Sequence, residues 1–256
     1  MSGIFTKRGA EAVESATAEK DAKSSAIVSF KSGTTLKVRV KGPADSAEYY
    51  AYGIFNRVNT FVPAQPATRN AKGFITANPT VWDRAADYLY AQAKAAKDAG
   101  DAAAAEELSK EAYLYKGKPR YLIGFGSLET GEDIVVDLSA KQARGVLDTI
   151  KKYAKKLDKV AFELSKSGTS TSTAVTLTPI LDMDEDLTEA ERANFVKCGE
   201  KPFDFALFDD CLYIADEQEQ IKNLVVAGFD VAKIGLTLGA GASTDEAESD
   251  DSLPQF

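Results

Sequence analysis

Flat aromatic rings and cations recur together in three stretches of this chain. Lys37, Arg39 and Lys41 alternate along one run, and Tyr50, Tyr52, Phe55 and Arg57 follow in the next. Tyr115, Lys116, Lys118, Arg120 and Tyr121 then crowd into seven positions, while Arg69 and Trp82 lie between the second and third stretches. Cations neutralise phosphates and rings stack bases, so this pairing of residue types suits a surface for single-stranded nucleic acid. Each residue also has a plainer reading taken alone. A tyrosine on a strand is ordinarily a half-buried sheet residue, and a strand lysine is ordinarily just solvated.

Other chemistries are poorly supplied. The 256 residues include no histidine, which excludes Ser-His-Asp and Cys-His catalysis and ordinary zinc sites. The two cysteines, Cys198 and Cys211, form no Cys-x-x-Cys and flank the Phe203, Phe205 and Phe208 segment, where burial is the simple reading. The acidic run Asp182, Asp184, Glu185 and Asp186 could hold Mg²⁺, making a Mg-dependent nuclease one alternative. Metal ligands usually come from separated segments, however, and this run precedes a helix start, where negative charge is favoured. No catalytic residue, metal or cofactor is therefore expected, and the chain reads as a binder rather than an enzyme. A protein-interaction adaptor is the other alternative.

The elements that would hold these residues follow from periodicity. Residues 34–41 alternate with Leu36, Val38 and Val40 inward, and a second strand is expected over 47–58. A long connection over 59–81 leads to a helical hairpin at about 82–114, broken at Ala99-Gly100-Asp101. A β-hairpin over 120–138 turns at Glu129–Glu132, and Ser139 caps a helix to about Lys156. Strands 160–165 and 174–181, a capping box at Thr188 and Glu191, and a helix from Asp216 to Ala227 complete the set. This order predicts an α+β chain built on an OB-type β-barrel. Its expected layout is a mobile arm (1–25), a core (26–236) carrying the inserted hairpin, and a disordered acidic tail (237–256). No run of 18 apolar residues is present, so no membrane partner is expected.

Charge is unevenly placed. The net charge is −8, yet residues 26–181 hold 22 basic and 16 acidic residues, net +6, and residues 182–256 hold 5 and 19, net −14. A basic body with an acidic appendage points to nucleic-acid work. The tail is itself a polyanion able to compete with DNA for a cationic groove. Its apolar end adds a plug for protein partners.

That tail, with Asp250, Asp251, Leu253, Pro254 and Phe256, resembles the partner-docking tip of bacterial single-stranded-DNA-binding proteins. The start, Phe5-Thr6-Lys7-Arg8-Gly9-Ala10-Glu11, is similar to the basic arm of the replicative single-stranded-DNA-binding proteins of tailed bacteriophages, and Lys116–Tyr121 resembles that family's basic stretch leading into a DNA-contacting strand. The resemblance implies single-stranded DNA as ligand and self-association along DNA through Phe5, Lys7 and Arg8. It also implies replication or recombination proteins as partners of the tail, and the cytoplasm of an infected bacterial host cell as the setting. Members of the family carry a Cys/His zinc site in the insertion. Residues 82–114 hold neither residue, so zinc is not expected.

Overall fold

The computed structural model describes residues 26–169 and 172–237. The arm and tail residues named above therefore lie outside the described residues. In chain order the elements begin with β1 (Thr35–Arg39), β2 (Ser46–Ile54), β3 (Val58–Pro63), β4 (Thr68–Arg69) and β5 (Ile75–Ala77). Helices α1 (Val81–Asp98) and α2 (Ala102–Tyr115) follow, then β6 (Lys118–Ser127), β7 (Asp133–Ser139), α3 (Ala140–Tyr153), β8 (Phe162–Ser167) and β9 (Ala174–Pro179). The last elements are α4 (Met183–Asp186), α5 (Glu189–Cys198), α6 (Ala206–Asp209), β10 (Ile214–Ala215), α7 (Glu217–Val226) and a 3₁₀ turn at Val231–Ile234. The chain is a mixed α+β protein whose sheet pairing is largely antiparallel.

It divides into two compact units, each with its own apolar core. The first unit joins residues 26–47 with Tyr121–Cys211. Its strands run in the order β7-β6-β1-β8-β9, and β1 is antiparallel to both β6 and β8. Val38, Val40, Ile123, Phe125, Phe162 and Leu164 build the core beneath α3, which contributes Ala143, Val146 and Ile150. Those three positions fall three and four residues apart, on a single helical stripe. The path runs open from β7 to β9, so the expected closure into a barrel is not made.

The second unit joins Glu48–Arg120 with residues 212–237. Here β2 pairs antiparallel with β3, and the short β10 adds to β3 in parallel. Trp82, at the start of α1, is fully buried among Tyr52, Phe61 and Tyr115, and its indole N–H donates to the Gln220 carbonyl at 3.0 Å. Thr80 and Asp83 form a reciprocal capping box that starts α1, and Gly100 (φ 86) sits in the turn between α1 and α2.

Two expectations change shape. The strand expected over 47–58 is two strands, because Phe55-Asn56-Arg57 turns the chain with Asn56 at φ 60, a left-handed conformation that asparagine tolerates. The connection expected over 59–81 contains β3 and the β4–β5 hairpin.

Candidate nucleic-acid interface

Strand β1 alternates as expected, but its second face is only partly open to water, with Thr35 exposed and 30% of the Lys37 side chain exposed. Helix α5 packs there, beside a small core of Leu128, Ala161, Ile180, Leu187 and Phe195. Lys37 and Arg39 on that face, and Lys41 just past the end of β1, are tied into the fold. Lys37 donates to the Asp186 carbonyl at 2.9 Å and pairs with Glu191 at 3.1 Å. Arg39 donates to the Phe195 carbonyl at 2.7 Å and lies 4.3 Å from the Phe195 ring centroid. Burial pushes the Arg39 guanidinium below its usual value, and its Nε has no partner among the described residues. Lys41 holds both oxygens of Asp133, at 2.7 and 2.8 Å, with only 6% of its side chain exposed.

A second internal network lies in the other unit. The Tyr52 hydroxyl donates to Asp83 at 2.8 Å, and Arg69 donates to Asp83 and to the Tyr52 oxygen, both at 3.1 Å. The Arg69 guanidinium also stacks 4.0 Å from the Tyr50 ring centroid. Burial, reinforced by the Asp83 charge, drives the Tyr52 phenol well above its ordinary range. Tyr52, Trp82 and Tyr115 are buried at 3% exposure or less and offer no face to a base. Their burial removes them from the stacking set.

The expected residues that face solvent cluster in sequence around two turns of this second unit. Phe55 stands 91% exposed on the β2–β3 turn, with the exposed Arg57 two residues on. Arg57 lines a shallow cleft of about 420 Å³ with Asn59, Thr60, Tyr213, Asn223 and Val226. The Tyr213 hydroxyl is held by Glu219, and its ring remains half exposed. Beyond α2, Lys116 is exposed and Lys118 lies 4.9 Å from the ring centroid of the exposed Tyr113. Burial, with Glu111 adding, raises the Tyr115 phenol, and the nearby Arg57 charge opposes that rise. Arg120 and Tyr121 are half-buried on β6, Tyr121 against the first unit's core.

Sequence reasoning overlooked Tyr113 and Tyr213, which carry no motif signal. It also overlooked the lysines of α3, whose signal was the local charge count. The acidic run is a capped turn: Asp182 accepts from the Asp184 and Glu185 amides at 3.0 and 3.1 Å, starting α4. Among the described residues no three Asp, Glu or Cys side chains converge as metal ligands would. Cys198 is buried against the Ser127 carbonyl, and burial raises its thiol. No helix among the described residues is long and apolar enough to cross a membrane. No family model, curated protein or solved structure matches the chain.

Proposed function

We propose that the chain binds single-stranded DNA without sequence preference, through exposed rings and cations of its second unit. Phe55 carries the reading. Burying a phenylalanine is worth about 1.5–3 kcal/mol, so a ring left 91% exposed on an ordered turn serves no purpose in folding. Two residues before the exposed Arg57, it suits a base stacked on the ring with its phosphate on the cation, and Lys118 against the exposed Tyr113 repeats that pairing of ring and cation after α2.

Strand order supports the same reading. The path β7-β6-β1-β8-β9, with α3 between β7 and β8 in the chain, is compatible with an OB-type order in which β7 and β9 do not pair. Helix α3 packs against both of those strands. OB-type proteins use the connection between their first two strands to hold oligonucleotides. In this chain that connection carries Phe55, Arg57, Tyr113 and Lys116. On this proposal residues 1–25 align neighbouring copies along DNA and the acidic C-terminal residues recruit replication or recombination enzymes in an infected bacterial cell.

Titration of oligo-dT by the full-length protein at several salt concentrations tests it. The wild type should bind with strong salt dependence, and Phe55→Ala should weaken binding by about 1–3 kcal/mol per stacked base while the melting temperature stays unchanged. Wild-type protein that ignores oligo-dT would sink the proposal. A protein-interaction adaptor would then be favoured, because Ile214, Val225 and Val226 leave an exposed apolar patch on the same unit.

A further inference from the structure

Seven of the nineteen residues from Lys141 to Lys159 are basic and two, Asp148 and Asp158, are acidic. This net +5 sits in a chain of net −8. Helix α3 turns Ala143, Val146 and Ile150 into the core, and Leu157 anchors the turn behind it. Lys141, Arg144, Lys151, Lys152, Lys155 and Lys156 are all left exposed. None of them, nor Lys159, forms an ion pair among the described residues. The cations of β1 in the same unit are, by contrast, held by Glu191, Asp133 and the Phe195 carbonyl.

We infer that this face of α3 and the turn after it form a second nucleic-acid surface, a track for the phosphate backbone alone. The inference deepens the single-strand-binding proposal and rests on it. The helix dipole accounts for cations only in the last turn, here Lys151 and Lys152. It leaves Lys141, Arg144, Lys155 and Lys156 unexplained. Like charges gathered this closely repel one another, and a polyanion relieves the repulsion while releasing its own counterions. From Lys141 to Lys152 the helix rises about 16 Å, long enough to run beside several successive phosphates of one strand. No large apolar side chain stands exposed on this segment, and Tyr153 is packed edge-on against Phe162. The surface therefore offers charge without stacking, the opposite of the Phe55 turn.

The test compares full-length wild type, Phe55→Ala and a Lys151→Ala, Lys152→Ala, Lys155→Ala, Lys156→Ala variant. Each is titrated with oligo-dT and with an abasic strand of equal length over a range of salt. All four lysines are exposed, so the quadruple variant should keep the wild-type circular dichroism and melting temperature. Its salt slope should fall by up to about 3, at roughly 0.7 for each single-strand phosphate that is no longer neutralised. Its affinity should fall equally for oligo-dT and the abasic strand. Phe55→Ala should instead weaken oligo-dT binding, keep the slope and leave the abasic strand unaffected. An unchanged slope in the quadruple variant overturns the inference and leaves the patch to an acidic protein segment; the proposed function survives if Phe55→Ala still weakens oligo-dT. A reduced slope alongside a silent Phe55→Ala upholds the track and overturns the stacking reading. Wild-type protein that binds neither strand overturns both.

Discussion

Two sets of cations in the first unit use the same chemistry to opposite ends. Lys37 and Arg39 stand on a strand whose second face packs against α5, Lys41 follows just beyond that strand, and each has a partner within 3.1 Å. The cations of α3 stand on a helix whose opposite face is in the core, so their side chains reach water. A lysine beneath a packed helix must find a carboxylate or carbonyl, since a buried unpaired charge costs several kcal/mol. A lysine in water needs no partner and remains available to a ligand. The lesson concerns which face of an element is covered. Residue type is alike in the two sets, yet one is tied into the fold and the other reaches water.

Substitution at Lys41 would break the comparison most forcefully. Lys41→Met leaves the Asp133 carboxylate without its partner, and about 3 kcal/mol of stability should be lost, as for a broken buried pair. Urea denaturation reads that loss. Oligo-dT affinity of the folded fraction should be unchanged, and a large affinity loss at unaltered stability would put Lys41 among the ligand-contacting cations instead.

A smaller effect should appear in acid. The Thr188 amide, together with Lys37, holds the Glu191 carboxyl below its ordinary range. A carboxylate with a depressed folded value contributes stability that is present above its unfolded value and lost as pH falls through the folded one. Melting temperatures recorded from pH 6 down to pH 3 should therefore decline less steeply for Glu191→Gln than for wild type. Parallel curves would mean that the Lys37–Glu191 pair contributes nothing to folding. The smallest change should come from Lys155→Ala. Its melting curve should match wild type to within about 0.5 kcal/mol, as for surface substitutions generally, and a larger loss would show that α3 uses its lysines internally.

Local chemistry made much of the architecture readable. The Thr80–Asp83 and Thr188–Glu191 capping boxes, the break at Ala99-Gly100-Asp101 and the alternation of Leu36, Val38 and Val40 each act within a few residues. The helices and most strands accordingly stand close to where periodicity put them. The β2–β3 turn was harder to read, because Tyr49 to Val58 is rich in strand-forming residues and only the left-handed Asn56 interrupts it. In the candidate site, Phe55, Arg57 and Lys116 are named by the sequence and stand exposed. Trp82, Tyr52 and Tyr115 could not be told from them, since a ring suited to stacking on a base is equally suited to a core.

The sequence by itself determined that histidine chemistry is absent, that charge is divided between a basic body and an acidic end, and where most helices begin. Long-range packing alone brings residues 212–237 into the unit of α1 and α2, where β10 meets β3 and Gln220 receives the Trp82 indole. It alone decided that α5 covers the cations of β1 while those of α3 face water. The reason is range. Caps and periodicity depend on neighbours three or four positions away, whereas burial depends on which distant segment arrives to cover a face, and no local pattern encodes that arrival.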